Sequence, residues 1–514
     1  MGSLLEEILR LDEIGAHQGL VAYLQQEPRN TSDVIFVVYQ LLLRSSFKGA
    51  FLVAKSLGPV SELHPITALA LGLGGVIFNS VEDELQGRNA LRSAVDHLDS
   101  AQQASIYAEI TSRVIPNIVN YAFLRDDTAT LLRLLELFKA ATPRFRDMFD
   151  LAALPAPLDI EEMRRRGRAR AQLVRFPGLP PGTPKQARRG IVALREHYLG
   201  ASDAKLSRPH DIGPRVTAAL NSYGWPTKFF GMSFSDPQAD FRGIAAMCRE
   251  TGAEFVILDD NMVQNFAARR WRSEMIAQLR WEMPNLKVVS IYLDPWVFTP
   301  AELIETSAMV DLIWSASPTL AALRHPAFAD RVFMAPFPVG VDFDQPPAPL
   351  RPRMTFAGGV MGYNWHRALW LGMAQREGLP IERQLSTHTP DGLPVLDSYS
   401  AYLRRLANAT CSLDFTMRSD LSFIAPARAF ESISSGALLV EEMSPDIDHY
   451  FVAGEHYLAY SSFPELRAVA QFIEHNRAEA ESIRKNGTDF FRSNYSDDKT
   501  MANLDLRLFH GNDA

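Results

Sequence analysis

The residues best suited to binding chemistry lie in a short segment near the carboxyl end of the chain. The run from Arg428 through Glu431 to Gly436 has the pattern of a helix that ends at the glycine and leads into an apolar strand. Arg428 and Glu431 are three residues apart, so they share one face of that helix. A carboxylate in this position can accept hydrogen bonds from two neighbouring hydroxyl groups.

A glycine pair that closes a predicted strand is the second candidate. Phe356-Ala357-Gly358-Gly359 is followed by a predicted helix that contains His366 and Arg367. Glycines let backbone amides approach a diphosphate, and the amino end of a helix favours its negative charge. The segment therefore indicates a place for an anionic group.

Candidate acid–base residues lie in the preceding part of the chain. His210 stands between a predicted strand and a helix, and a histidine titrates near neutrality, so it can act as the base on a reacting hydroxyl. Ligand binding and helix capping are equally open for His210, and Asp211 is a predicted helix N-cap. The remaining candidates share a place at the carboxyl ends of predicted strands: Asp259, Asp260, Asn261 and Asp294.

Three kinds of segment position these residues. Residues 1–150 have apolar residues three and four apart throughout, which predicts an all-helical domain of helical hairpins, loosely similar to tetratricopeptide repeats. Residues 151–189 form a predicted connector rich in proline, glycine and arginine. Between Glu161 and Arg195 ten basic residues face two acidic ones, a local charge of +8 in a chain of −8. Such a patch is either a solvated linker or a contact for anionic lipid or an acidic partner.

Strands and amphipathic helices alternate in the rest of the chain. This alternation predicts βαβ units with parallel sheets, in one domain over 190–345 and a second over 353–500, followed by a tail over 501–514. The predicted fold class is therefore α/β, with two Rossmann-like domains preceded by a helical domain. Two such domains leave a cleft at the carboxyl ends of their strands, where a nucleotide and a second substrate commonly bind.

The Arg428–Gly436 segment and the Phe356–Gly359 segment together resemble the carboxy-terminal domain of GT-B glycosyltransferases, in particular the spore-maturation-protein-like branch. The following loop, from Ser444 to Glu455, is similar to the family's acidic and aromatic loop. The resemblance covers the two α/β domains and is strongest in the second. It implies metal-independent transfer of a sugar from a nucleoside diphosphate sugar to a hydroxyl acceptor, with no further cofactor.

The resemblance also implies roles for individual residues. Glu431, five positions before Gly436, would bind the ribose hydroxyls of the donor, while Gly358 and Gly359 would face the diphosphate. A basic side chain would neutralise the leaving group; the candidates are Arg367, Arg418 and Arg428. His210 and Asp260 would serve acceptor-side catalysis. Retaining members of one large GT-B family carry a second glutamate eight positions before the first, where this chain has Phe423. The stereochemistry and the donor sugar are therefore open.

Other classes of function are compatible with parts of the pattern. The strand end at Asp259-Asp260-Asn261 is similar to the metal motif of GT-A glycosyltransferases, which would require manganese. The missing acid at Phe423 would suit a helical adaptor with a degenerate sugar-nucleotide domain. A sugar-nucleotide epimerase of GT-B fold would act on the donor without an acceptor.

Composition narrows the location and partners. Two cysteines, Cys248 and Cys411, cannot form a disulfide framework, and the longest apolar run, from Ala68 to Phe78, is short for a membrane span. The acidic chain disfavours nucleic acid as a partner. We therefore expect a cytoplasmic protein, with peripheral contact to the inner membrane face through 164–189 as an option. A glycan, lipid-linked glycan or protein acceptor all suit it, as does a dimer or protein partner at the helical domain.

Overall fold

The computed structural model describes most of the two α/β domains and parts of the helical region. The described residues are 31–43, 47–55, 67–68, 70–71, 119, 122–123, 126–141, 143–153, 155–177, 186–195, 212–232, 236–259, 266–292, 308–317, 326, 329–339, 348–360, 365–385, 399–417 and 423–510. The chain forms two compact units. A helical unit comprises Met1–Ala152 with Gly359–Leu379, and an α/β unit comprises Ala153–Gly358 with Pro380–Ala514.

The described part of the helical unit confirms the prediction of a helical N-terminal region. Its helices are α1 (Thr31–Leu43), α2 (Phe47–Lys55), α3 (Thr128–Ala141) and α4 (Pro143–Met148). Their buried faces are apolar, as the three-and-four spacing requires. Most of the segment that resembles a tetratricopeptide hairpin lies outside the described residues.

One helix from the carboxy-terminal half of the sequence belongs to this helical unit. In the helix Trp365–Arg376 every residue up to Ala374 is buried. Trp370 packs on Phe149 at a ring-centroid distance of 4.7 Å, and Gly372 lies against Leu131 so closely that a Cβ atom would be 2.6 Å from its Cδ1. A helix that is buried all round needs partners on every side. The N-terminal helices therefore supply part of the apolar surroundings of this helix.

The first sheet has six parallel strands in the order β2-β1-β3-β4-β5-β6. The strands are β1 (Gly190–Arg195), β2 (Thr227–Met232), β3 (Phe255–Asp259), β4 (Lys287–Tyr292), β5 (Leu312–Ser315) and β6 (Val332–Met334). Val192 and Leu194 point into one apolar core and Ile191 and Ala193 into another. Both faces are therefore buried, which is why these strands are apolar runs rather than alternating ones.

The second sheet has five parallel strands in the order β11-β10-β9-β7-β8. The strands are β7 (Met354–Gly358), β8 (Ile381–Leu385), β9 (Cys411–Asp414), β10 (Leu438–Glu442) and β11 (Leu458–Tyr460). The prediction of two Rossmann-like α/β domains is thus confirmed. Sequence reasoning missed β8 and β11. The first carries three polar residues in its five, and the second is only three residues long.

The remaining helices flank the two sheets or follow them. They are Ile160–Arg170, Ile212–Tyr223, Pro237–Thr251, Phe266–Glu282, Tyr399–Ala409, Ala427–Ser434, Phe463–His475, Arg477–Tyr495 and Asp497–Asp505. One apolar core contains residues from both domains, among them Trp314 from the first and Phe430 and Tyr450 from the second. The two α/β domains therefore fold around a shared interior.

The basic connector contains a helix, Ile160–Arg170, where proline and glycine density predicted none. Asp159 caps it by accepting a hydrogen bond from the Glu162 amide at 2.9 Å, and the prolines lie outside the helix. A Cβ atom on Gly167 would be 2.5 Å from the carbonyl oxygen of Ala453, so the helix lies directly on the second domain. The connector is therefore a packed element over its first half.

The arginines of this helix form ion pairs. Arg164 pairs with Glu479, Arg168 with Glu455, and Arg170 with Asp448 at 3.0 Å. Arg165 and Arg166, which are more exposed, both pair with Glu162. Burial raises the pKa of Asp448 and outweighs the opposing effect of Arg170. Much of the +8 charge is therefore matched by carboxylates that are distant in sequence.

The last residues return to the first domain. Residues 501–510, assigned to a tail from the sequence, are helical and end in a π-helix over Leu506–His510. The Tyr223 hydroxyl donates to Asp505 at 3.2 Å, and Phe509 packs on Trp225 at 5.4 Å. Arg507 donates to the carbonyl of Val332 at 2.9 Å. The carboxyl end thus joins the second domain to the first.

His456 gives the fold a specific acid sensitivity. Its ring stacks on Phe490 at 4.1 Å, and its Nδ1 accepts a hydrogen bond from the Val452 amide. Burial lowers the pKa of His456 to about 4, although Glu455 acts in the opposite direction. Between about pH 6.5 and pH 4 the unfolded chain binds a proton here that the folded chain does not, so stability falls as the pH falls through this window.

We expect His456→Gln to reduce the loss of folding stability between pH 7 and pH 4.5. The free energy of unfolding, measured in urea at pH 7, 5.5 and 4.5, should fall by about 1–3 kcal/mol less in the variant than in the wild type. His475→Gln, at an exposed histidine, is the matched control and should keep the wild-type slope. Equal slopes for wild type and His456→Gln would contradict the assignment.

Candidate functional site

Glu431 lies where the two α/β domains meet. Its helix, Ala427–Ser434, follows Pro426 and ends before Gly436, whose φ of +81° favours glycine over residues with a side chain. The side chain is buried, with 7% of the residue exposed. Its Oε1 is 3.2 Å from Nη1 of Arg215, in the first domain. The carboxylate singled out from the sequence is therefore held by a cation from the other domain.

Arg215 comes from the helix Ile212–Tyr223, which follows β1. The same Nη1 donates to the carbonyl of Pro338, in the segment that leaves the first sheet, at 3.2 Å. The side chains of Arg215 and Glu431 are both 9% exposed. Bonds to a backbone carbonyl and to a carboxylate orient the guanidinium.

Arg428 binds a different carboxylate. Its Nη1 donates to Oδ1 of Asp414 at 2.8 Å, and its guanidinium lies 5.3 Å from the ring centroid of Phe356. A Cβ atom at Gly358 would lie 2.2 Å from Nη2 of Arg428. Gly358 therefore makes room for this guanidinium beside the strand end, and its expected approach to a diphosphate stays a prediction.

Asp414 stands at the carboxyl end of β9 and is fully buried. Besides Arg428, its Oδ1 accepts a hydrogen bond from the Phe415 amide at 2.8 Å, and its carbonyl accepts one from the Tyr460 hydroxyl. A buried carboxylate is stable only with such partners, because desolvation alone would disfavour its charge. The pair therefore fixes Arg428 at the carboxyl edge of the second sheet.

Gly359 and Arg367 are both part of the helical unit. Arg367 is 4% exposed, and its Nη1 donates to the carbonyl of Gly359 at 3.3 Å. His366, its neighbour, is fully buried. Arg367 therefore binds the backbone at Gly359.

Several predicted site residues lie outside the described part of the chain. They are His210, Asp211, Asp260, Asn261, Asp294 and Arg418. The backbone of Asp259 is described and ends β3, as predicted. The roles assigned to these side chains remain predictions.

Hydrogen bonds from the loop after β10 and from the residue pair before the helix Ala427–Ser434 join the two domains. The Tyr450 hydroxyl donates to the carbonyl of Ala316, after β5, at 2.8 Å. The Ala425 amide donates to Oγ of Ser317 at 3.0 Å. These buried bonds tie the second domain to the carboxyl edge of the first sheet, next to the helix that carries Glu431.

Sequence reasoning missed Arg215 and Asp414. Asp414 ends an apolar strand, and that position was the signal that could have identified it, as it did for Asp259. Arg215 gave no local signal, because its partner is 216 positions away. Among the described residues, no group of histidine, cysteine and carboxylate side chains has an arrangement that could hold a metal ion.

Comparison with known families identifies the second α/β domain. Residues 362–505 match the model of a family described as glycosyl transferase-like. The matched region includes Asp414, Arg428, Glu431 and Gly436. No curated protein matches the chain.

Solved structures with a related course of the chain include several glycosyltransferases. Sucrose-phosphate synthase from Thermosynechococcus elongatus is 12% identical, with a TM-score of 0.43, covering 63% of this chain and all of that one. HepE from Anabaena, solved with UDP and glucose, is 9% identical, with a TM-score of 0.41, covering 62% and 98%. A mutant O-GlcNAc transferase from Thermobaculum terrenum is 13% identical, with a TM-score of 0.37, covering 93% and 97%. These similarities are too low to support an argument about function.

The family match confirms the resemblance stated from the sequence for the carboxy-terminal region. This region is a glycosyl transferase-like domain. Most of the matched residues lie in the second of two α/β domains, each built on a parallel sheet. None of the helices in the described ranges is both long and apolar enough to cross a membrane.

We expect Gly358→Ala to act by displacing Arg428. The added methyl would collide with the guanidinium, at a cost of about 1–3 kcal/mol in the free energy of unfolding. Chemical denaturation of Gly358→Ala, Arg428→Ala and the double variant tests this. The glycine change should cost clearly less in the Arg428→Ala background. Additive losses would show that Gly358 serves another purpose.

Proposed function

We propose that this protein is a glycosyltransferase that moves a sugar from a nucleoside diphosphate sugar to a hydroxyl group of an acceptor. The observation that carries the proposal is the glycosyl transferase-like family match over the domain that holds Glu431. Glu431 is a buried carboxylate at the junction of the two α/β domains. Its free energy of desolvation is offset by an ion pair, and a carboxylate has acceptor sites beyond the one that Arg215 uses.

The nucleotide would bind to the second domain. Glu431 would accept hydrogen bonds from the ribose hydroxyls, and the backbone at Gly358 and Gly359 would face the diphosphate. The guanidinium of Arg428 lies against Gly358, and Arg367 contacts the carbonyl of Gly359. Arg418 is a further candidate for the same charge. Fixed donors and cations of this kind stabilise a departing diphosphate without a metal, so we propose a metal-independent reaction.

Acceptor-side chemistry is assigned to the first domain. His210 would remove the proton from the acceptor hydroxyl, and Asp260 would lie at the carboxyl end of β3 as an acceptor ligand or base. The acceptor would be a glycan, a lipid-linked glycan or a protein, and surface polysaccharide synthesis is one setting that suits this chemistry. Interdomain closure would exclude water, which is the competing acceptor.

The proposal also includes a cellular location and binding partners. We propose a cytoplasmic enzyme with the helical unit as the place for a dimer or protein partner. Contact with anionic lipid through 164–189 would depend on Arg165 and Arg166, which are exposed and already paired with Glu162. Such contact would be weak and sensitive to salt.

We expect Glu431→Ala to weaken nucleotide binding with the fold intact. Loss of hydrogen bonds to a charged acceptor should raise the dissociation constant for UDP or GDP, whichever binds wild type better, by about tenfold to a hundredfold. Isothermal titration in the presence of EDTA measures this and tests metal independence of binding at the same time. Circular dichroism should match that of wild type.

Glu254→Ala is the matched control. Glu254 also forms an ion pair, with Arg188 at 2.9 Å, but it precedes β3 and so lies at the amino edge of the first sheet. This variant should keep wild-type affinity. Unchanged affinity in Glu431→Ala would remove the ribose assignment. Absence of binding of either nucleotide to the wild type would favour an adaptor.

We expect His210→Ala to affect turnover more than donor binding. Loss of a general base should lower kcat for sugar transfer by about 10²-fold or more, with little change in KM for the donor. Steady-state kinetics with the best donor from the nucleotide screen provide the measurement. Turnover equal to that of wild type would make His210 a structural residue.

A further inference from the structure

We infer that Arg215 is a donor-site residue that the first domain contributes to the second. It would position the carboxylate of Glu431 for the nucleotide and so make nucleotide affinity depend on the contact between the domains. This inference rests on the proposed function, because it needs Glu431 to bind the donor. Arg215 would be a positioning residue that acts through Glu431.

The geometry around Arg215 is that of a fixed donor. A single nitrogen, Nη1, lies 3.2 Å from both Oε1 of Glu431 and the carbonyl oxygen of Pro338. Arg215 is in the first turn of its helix, whose position is set by Val216 and Leu220, both fully buried in the core that the two domains share. The packing of this helix therefore fixes the position of the Arg215 backbone in the shared core.

Because the ion pair between Arg215 and Glu431 is buried, each side chain depends on the other. With 9% of each side chain exposed, water screens the two charges little, and loss of one partner leaves the other charge buried. Exposed pairs such as Arg165 with Glu162 lack this dependence, since water replaces the lost partner. Without Arg215, Glu431 would turn toward water or another donor, and the orientation that the ribose requires would be lost.

The position of the pair connects it with donor binding. Pro338 lies after the last strand of the first sheet, and Glu431 lies on the helix before β10 of the second. Arg215 Nη1 therefore contacts both the segment that follows the last strand of the first domain and the helix of the second domain that carries Glu431. A shift between the domains would remove Arg215 from Glu431, so the carboxylate is in its binding orientation only when the domains are in contact.

A double-mutant cycle on the full chain tests the inference. UDP and GDP are titrated into wild type, Arg215→Met, Glu431→Gln and the double variant. Arg215→Met should raise the dissociation constant about tenfold or more. The dissociation constant of the double variant should lie within about twofold of that of Glu431→Gln. Arg215→Lys keeps the charge and one donor direction and should recover part of the affinity.

Arg280→Met is the matched control. Arg280 also bonds a backbone carbonyl, that of Met309 at 2.7 Å, and a carboxylate, that of Asp311 at 2.7 Å. That pair lies at the amino edge of the first sheet, next to Lys287 at the start of β4. Arg280→Met should lower stability without changing nucleotide affinity. Thermal unfolding of each variant separates loss of folding from loss of binding.

The outcomes distinguish the two proposals. If Glu431→Gln weakens binding while folded Arg215→Met or Arg215→Lys binds as wild type does, the inference about Arg215 is overturned and the proposed function stands. Additive losses in the double variant also overturn it, because Arg215 would then act independently of Glu431. If wild type binds neither nucleotide, the proposed function itself fails. If Arg215→Met does not fold, Arg215→Lys decides: wild-type affinity overturns the inference and reduced affinity supports it.

Discussion

The buried charge at the carboxyl edges of the two sheets is the constraint that organises this protein. Parallel strands end there in polar residues, and a carboxylate removed from water requires a cation or hydrogen-bond donors. Asp414 takes Arg428, from the helix that precedes β10, and Glu431 takes Arg215, from the other domain. The two ion pairs concentrate carboxylate and guanidinium groups at the proposed donor site.

Segments from both ends of the α/β unit hold the two domains together. The arginine-rich helix Ile160–Arg170 lies on the second domain, and Phe176, just after it, packs on Phe333 of the first domain at 6.2 Å and on Tyr495 at 5.5 Å. The residues after Asp497 return to Trp225 and Val332. With a common apolar core between the sheets, these two crossings limit the motion of one domain against the other. Closure of one α/β domain on the other would therefore consist of small movements around the shared interior.

Sequence reasoning succeeded where the signal was local and failed where the partner was distant. Apolar runs such as Phe255–Asp259 identified most strands, because both faces of a parallel strand are buried. Sequence reasoning missed the strand Ile381–Leu385 because three of its five residues are polar, so it has no apolar run. The helix Ile160–Arg170 was obscured by the composition around it, since its arginines are stabilised by Glu455, Glu479 and Asp448 from the second domain.

The sequence by itself determined the class of fold, the order of the domains and the helix that carries Arg428 and Glu431. Helical spacing, strand length and a terminal glycine are properties of neighbouring residues and are therefore visible in one chain. Tertiary structure alone decided which charges meet. Arg428 binds Asp414, and Arg215, for which the sequence has no local signal, binds Glu431. The pairing of buried charges depends on packing between segments hundreds of residues apart, and no local pattern encodes it.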